Sequence, residues 1–488
     1  MIGKLVKMKG SCISMLIVLM LCNFDFVRAR TRPVAVNPLD ACAEEGDDTR
    51  IDNRKSVAVQ RKSPKVLVEY AERQSRRLAK LLPSGKRSIT ENSLLLFDVG
   101  RTGLADRLLG IVCAFVLAFV TDRTLLVKFG DPIPDIEMLF ENPGWEWTLS
   151  HNDFVNPSEK GDMPLNHNQI KSFDLLWKVL LTNEAAQSVL CKNLTKSFAE
   201  IPILHVGSSE FWLPLLATNP YYKSVIKDVF GTNVIQTVSD FLLYPVAHLR
   251  KDIESHLSTI PHDSFVLSMH LRIGHSEMDE VNASGFVESW YKPNVDTFID
   301  CANAILKNEH ARSVAVFVAT DSLQAQTKVE KALNEGFGAN IIYTFKDFDT
   351  DGKLVSTNAS KTIQEGQYTK KAFESALVDY WLLGEADKII VSTMSSVASF
   401  APGRRSLVPV VATGDGQCIS LPSHRTQPCF HLLAKDLRTN IIDPGRYDLA
   451  SLCPEHIASV HAFTVRRRSA FYHSKSMKYT CVTYFDDS

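Results

Sequence analysis

Residues 94–129 read LLLFDVGRTGLADRLLGIVCAFVLAFVTDRTLLVKF, and this stretch decides the fold. Leu94-Leu95-Leu96-Phe97 is short, apolar and followed by polar residues, the pattern of a buried strand. Gly100-Arg101-Thr102-Gly103 turns the chain. From Leu104 to Val120 the apolar residues recur at helical spacing over a length that strands seldom reach, and Leu125 to Phe129 resumes as a strand. Strand, glycine turn, helix and strand form the unit from which parallel sheets are built. The unit aims the unbonded amides of the helix at whatever binds above the sheet edge.

The second half repeats this pattern. Ser264 to Ile273 is a long strand candidate, Val295 to Leu306 a helix starting just after Pro293, and Ser313 to Ala319 another strand. Lys370 to Gly384 reads as a helix, Lys388 to Ser392 as a strand and Leu407 to Val411 as a last one. Strands alternating with helices predict an α/β protein, and two such runs joined near residue 255 predict two Rossmann-like, doubly wound lobes facing a cleft. A chain of 488 residues has room for both and for extensions. The predicted division is an N-terminal signal or anchor (1–29), a stem (30–90) with one helix around Val66 to Leu82, lobes at 91–255 and 256–415, and a cysteine-containing extension (416–488).

With 54 Lys and Arg against 55 Asp and Glu, the chain has no basic excess to hold nucleic acid. Arg466-Arg467-Arg468 reads as a solvated turn. Lys4, Lys7 and Lys9 precede the apolar run Ile13 to Cys22, the order of a secretory signal. A cleaved peptide fits that short core and the site Val27-Arg28-Ala29. An uncleaved anchor would use Gly10 to Val27, with Asn23 and Asp25 inside it. Either route leads to an oxidising lumen. Cys42, Cys113, Cys191, Cys301, Cys418, Cys429, Cys453 and Cys481 are an even set without a CxxC pair, which predicts disulfides with no leftover thiol, not a zinc site. Asn193, Asn282 and Asn358 open glycosylation tripeptides.

Several residues are placed for chemistry. Arg272, in His270-Leu271-Arg272-Ile273-Gly274, follows the end of a strand, where open parallel sheets present their ligand-binding groups. A guanidinium there offers a fixed fork of donors for a pyrophosphate; the plainer reading is an ion pair between lobes. His270 lies two residues earlier on the same strand face, as a cleft residue or as packing. Ser395 and Ser396, after the strand at 388–392, suit a second phosphate clamp or an ordinary helix cap. Asp321 and Asp379 are candidates for a ribose or a base edge, or for caps. Asp347-Phe348-Asp349-Thr350-Asp351-Gly352 opens like a calcium loop, but position twelve is Asn358 and not a bidentate Glu, so it reads as solvated and no metal is expected.

From Gly103-Leu104-Ala105-Asp106-Arg107 to Val127 the chain resembles the opening block of the plant xyloglucan (galactoside 2-alpha-L-) fucosyltransferase family, whose members read Gly-Leu-Gly-Asn-Arg there. Ile201 to Leu204, Glu210 to Pro214, Val229 to Gly231 and Phe241 to Pro245 look like that family's middle segment. Asp379 to Leu383, Lys388 to Ser392, Cys418, Gln427 to His431 and Cys453 to His456 look like its closing blocks in order. The resemblance covers roughly residues 93–456. It implies a GT-B-like fold and an inverting displacement from GDP-fucose onto a sugar hydroxyl, with 91–255 as the acceptor side and 256–415 as the donor side. It also implies no required metal or other cofactor, and a Golgi type II membrane protein held by its N-terminal segment.

Within that resemblance, Arg272 is the donor-phosphate arginine, with His270 beside it. Gly103, Asp106, Arg107, Gly274, Asp321, Asp379, Ser395 and Ser396 line the donor, and Cys301, Cys418, Cys429 and Cys453 are disulfide candidates. Two departures stand out: His275 where the broader His-x-Arg-x-Gly pattern continues with Asp, and Ala105-Asp106 for Gly-Asn. Glu277, Asp279 and Asp106 are all open as a general base. Two other readings are an inactive glycan-binding relative and a calcium-binding lumenal module built on Asp347 to Asp351.

Overall fold

The structure is a computed structural model that describes residues 64–81, 94–99, 103–128, 136–148, 170–174, 189, 191–208, 211–217, 219–273, 294–309, 313–343, 370–392, 395–413 and 416–420. The chain divides into compact units at Met1–Asp48 and Thr49–Ser488, and every described residue lies in the second. The N-terminal segment, Gly274, His275, Glu277, Asp279, Asn282, the Asp347–Asp351 loop, Asn358, Cys429 and Cys453 lie outside the described residues.

Two parallel sheets form the body. In the front sheet β1 (Leu94–Asp98) lies between β2 (Thr124–Lys128) and β4 (Ile203–Gly207), and β3 (Ile170–Asp174) pairs with β4, all parallel. The back sheet runs β10-β9-β8-β5-β6-β7, from β5 (Ser264–Leu271), β6 (Ser313–Thr320), β7 (Asn340–Ile342), β8 (Lys388–Ser392), β9 (Val410–Ala412) and β10 (Cys418–Ser420). Only β10 is antiparallel to its neighbour. Every residue of β5 is buried, as a central strand with both faces covered requires, and this explains its nearly unbroken apolar run.

Helix α1 (Lys65–Leu81) departs from the predicted stem. Its Leu67, Tyr70, Ala71 and Leu78 are buried in the front core, the Tyr70 hydroxyl donates to the Arg123 carbonyl, and the Thr124 hydroxyl donates to buried Gln74 at 2.5 Å. The element is therefore part of the front lobe, because its apolar stripe has a sheet edge to cover. At the other end of the chain, β10 makes the first residues of the predicted C-terminal extension an edge of the back sheet.

Helix α2 (Leu104–Val120) crosses behind β1. From Leu104 to Ala118 each of its residues is buried except Asp106, which is half-buried. It approaches β1 closely because Gly110 has no side chain: a Cβ there would lie 2.8 Å from the Phe97 ring.

The lobes are joined through α6 (Val234–Leu242) in front, and α10 (Lys370–Gly384) and α11 (Val397–Arg404) behind, with α3 (Leu194–Ser197), α4 (Leu213–Ala217), α5 (Lys223–Phe230), α7 (Ala247–Ser258), α8 (Val295–Lys307) and α9 (Leu323–Phe337) completing the layers. Gly403 lets α11 lie against Ile235, whose Cδ1 would be 3.0 Å from an added Cβ. Asn233 and Gln236 both hydrogen-bond the Ser406 hydroxyl. Phe140 from the front lobe packs at a tilt against Trp381, with centroids 5.8 Å apart, and Trp381 meets Phe400 at 5.9 Å.

Cys301 on α8 is bonded to Cys418 on β10, and Cys191 is disulfide-bonded as well. The expectation of no leftover thiol is corrected at Cys113. It is free and fully buried on α2, and burial pushes its thiol up to about 12.

Candidate active site

Strands β5, β6 and β8 lie side by side and end together, so the residues that follow them become neighbours. Leu271 is in register with Thr320, and His270 with Val391. Arg272 donates its backbone N–H to the Ser392 hydroxyl at 2.6 Å, and that hydroxyl donates to the His270 carbonyl at 3.1 Å. Ile273 donates its N–H to Asp321 Oδ1 at 3.0 Å, while Asp321 Oδ2 lies 3.2 Å from Arg272 Nη1. The backbone around Arg272 is thus held from both sides.

The guanidinium remains 35 % exposed, whereas Asp321 is 3 % exposed. One carboxylate oxygen at Nη1 cannot saturate five N–H donors, so the fork retains capacity for an anion. The ion pair is within the back lobe and not between lobes. Both oxygens of Asp321 meet the strand end that carries Arg272, so it positions that arginine.

The front lobe meets this cluster through the first turn of α2. Gly103 is the N-cap, with no side-chain cap, and its carbonyl accepts from Arg107 N at 3.3 Å. Asp106, at the third helical position, reaches back to the Gly103 N–H, one half of a capping box. It also hydrogen-bonds Ser396 and faces the charges of Arg107 and Arg272. Removal from water dominates, however, and pushes its carboxyl up to about 6 against those four favourable partners.

Ser396 stands at the N-cap of α11 without capping it, because its hydroxyl is used across the lobes. Ser395 beside it is half-buried. Tyr380 on α10, which sequence reasoning missed, joins the same cluster: its hydroxyl accepts from Ala105 N–H. Burial raises that hydroxyl, the neighbouring Asp379 and Asp106 raise it further, and Arg272 opposes them. Asp379 is buried next to it at 9 % exposure.

Two of the residues named from the sequence are buried. Arg107 is fully enclosed, with its guanidinium 5.6 Å from the Phe373 ring centroid, and so ties α2 to α10. His270 is buried within β5. Asn193 caps α3, its Oδ1 accepting from Lys196 N at 3.0 Å. Among the described residues there is no cluster of acidic, His or Cys side chains able to hold a metal, and no helix is long and apolar enough to cross a membrane.

No family model matches the sequence. Two curated relatives do. The galactoside 2-alpha-L-fucosyltransferase of Arabidopsis thaliana is 23% identical over 373 residues, covering 68% of this chain and 62% of its own length. The enzyme of the same name from Pisum sativum is 21% identical over 384 residues, covering 72% and 65%. The chain therefore spans a little under two thirds of the length of both. Among solved structures, a mutant of Arabidopsis thaliana FUT1 in complex with GDP superposes with a TM-score of 0.53 at 16% identity, covering 75% of this chain and 83% of that one.

This chain has the GT-B fold. In GT-B terms, the cluster just described lies where the start of α2 in one lobe meets the carboxyl ends of the strands of the other. Arg272, Asp106, Ser396, Asp321 and Asp379, named from the sequence, are brought together there with Tyr380.

Proposed function

We propose that the chain transfers L-fucose from GDP-fucose to a sugar hydroxyl, by a single displacement that inverts the anomeric centre. The observation that carries this reading is the meeting of Arg272 and Ser396 with Asp106 between the lobes, in a chain similar to two plant galactoside 2-alpha-L-fucosyltransferases. The Arg272 guanidinium and the amides near Ser395 and Ser396 hold the pyrophosphate. They stabilise the charge that gathers on it as the sugar departs. The acceptor hydroxyl attacks the anomeric carbon from the opposite face.

The same reading extends to finer features. The acceptor position is the 2-hydroxyl of a galactoside in a cell-wall or cell-surface glycan. No metal takes part, the cations being supplied by arginine. The body works in the Golgi lumen behind an N-terminal anchor and carries glycans at Asn193, Asn282 and Asn358.

The test is incubation of the full chain with several GDP-sugars and a panel of glycan acceptors, reading GDP release and product linkage. GDP-fucose should be turned over with a galactoside acceptor and without added metal, and Arg272→Ala should lower turnover by a factor of about 10²–10³, the size of one lost charge-stabilising group. Sugar binding without GDP release across the panel would instead mark a glycan-binding protein.

A further inference from the structure

The order of the back sheet marks where its ligand crevice opens. From β5 the chain passes through α8 to β6 and through α9 to β7 on one side, then returns through α10 to β8 on the other side of β5. The strand order therefore reverses between β5 and β8, the place at which open parallel sheets leave a crevice beyond their carboxyl ends. The ladders part there. Strand β5 stays paired with β6 as far as Leu271, opposite Thr320, but its pairing with β8 stops one residue sooner, at His270 opposite Val391. The next residue of β8, Ser392, is in register with Ala412 of β9.

Where that ladder stops, the main chain of β5 is met by a side chain. Ser392 is 1 % exposed, and its hydroxyl accepts from the Arg272 N–H at 2.6 Å and donates to the His270 carbonyl at 3.1 Å. One oxygen thus holds both backbone groups that flank Leu271 across the mouth of the crevice. A buried N–H and carbonyl stripped of their partner are costly, so without the hydroxyl the end of β5 would shift to find others. Arg272 rides on that end. Asp321 steadies its guanidinium from the β6 side, 3.2 Å from Nη1, while Ser392 steadies its backbone from the β8 side. Ser395 and Ser396 then follow Ser392 along the chain.

We infer that Ser392 is a positioning residue: it sets the spacing between the two segments that grip the donor diphosphate, Arg272 after β5 and Ser395 and Ser396 after β8. This rests on the transferase reading above. The Ser392 oxygen is engaged by two backbone groups, so it acts through Arg272 and not on the substrate. A misplacement of about 1 Å in such a clamp lowers turnover by about 10².

The test is a double-mutant cycle in the full chain, with Ser392→Ala and Arg272→Ala made singly and together, reading GDP affinity by calorimetry and turnover with GDP-fucose and a galactoside acceptor. Ser392→Ala should weaken GDP binding and lower kcat by about 10–10², with the acceptor KM unchanged. In the Arg272→Ala background the same change should add little, because the group it positions is gone. A merely structural loss behaves differently, since a misfolded fraction lowers turnover by the same factor in either background. Ser392→Thr keeps the hydroxyl on a β-branched side chain that a strand accepts, and should keep turnover.

Losses that multiply in the double variant would overturn the assignment, as would a Ser392→Thr as impaired as Ser392→Ala while melting like the wild type. A wild type that binds GDP but never releases it from GDP-fucose, with the coupling intact, would overturn the transferase reading and leave Ser392 positioning Arg272 on a bound nucleotide. One that binds no GDP would overturn both.

Discussion

Gly110 and Arg272 show two ways in which a single position depends on a distant one. At Gly110 a methyl group would meet the Phe97 ring, which is itself fully buried and has nowhere to retreat. Gly110→Ala should cost about 1–3 kcal/mol, the usual penalty for overpacking, seen as a lower denaturant midpoint with an unchanged slope. Arg272 was legible as a strand-end group, but its partner was not. Asp321 is far away along the chain, and only the pairing of Leu271 with Thr320 makes the two neighbours. Tyr380 was overlooked for a related reason: within the apolar run Leu377 to Leu383 it reads as core, and the polar partner of its hydroxyl, the Ala105 amide, belongs to the other lobe. The enclosure of Arg107 was equally hidden, since nothing local marks a basic residue beside a glycine turn as buried.

Helix α11 owes its place to a buried ion triad. Arg404 Nη2 donates to Glu385 Oε1 at 2.8 Å and to the Trp381 carbonyl at 2.8 Å, while Arg405 Nε donates to the same Glu385 oxygen at 2.8 Å. Burial alone would raise the Glu385 carboxyl, but the two guanidiniums outweigh it and hold it below its ordinary value. Its contribution to stability is present above the unfolded carboxylate's range and fades as pH falls below it. Glu385→Ala would strand two buried cations, for a loss of about 3–5 kcal/mol at pH 7 that shrinks in acid, measurable by urea unfolding at pH 7 and pH 4.

The elements differ in how plainly the sequence announced them. A long all-apolar strand such as β5 is conspicuous, because burial on both faces leaves no polar position. Strands β3 and β4 are five residues each, with Lys171 and Ser172 in one and His205 in the other, and passed unnoticed. Helix α1 was visible as a helix, yet an amphipathic stripe says only that something covers it, not that the cover is β2.

Across the whole molecule, the two-lobed plan was readable from alternation alone, whereas the way the lobes lock was not. That lock depends on Gly403 against Ile235, on Asn233 and Gln236 at Ser406, and on ring contacts around Trp381, none of which has a local pattern. Pairing of cysteines was likewise beyond the sequence. The bond between Cys301 and Cys418 spans 117 residues of chain, so its removal by the paired change to Ser should cost about 2–5 kcal/mol, and reductant should lower the melting temperature of the wild type by more than that of the double variant, which keeps the bond at Cys191.

The same bond has a practical meaning for anyone producing the protein. Strand β10 shields the outer margin of β9, and the sulfur bridge is its covalent fastening. Chains made in a reducing cytoplasm would keep that margin only by three short ladder positions. A bared strand margin recruits other chains. Recombinant material should therefore clump in such a host and remain dispersed when exported through an oxidising one.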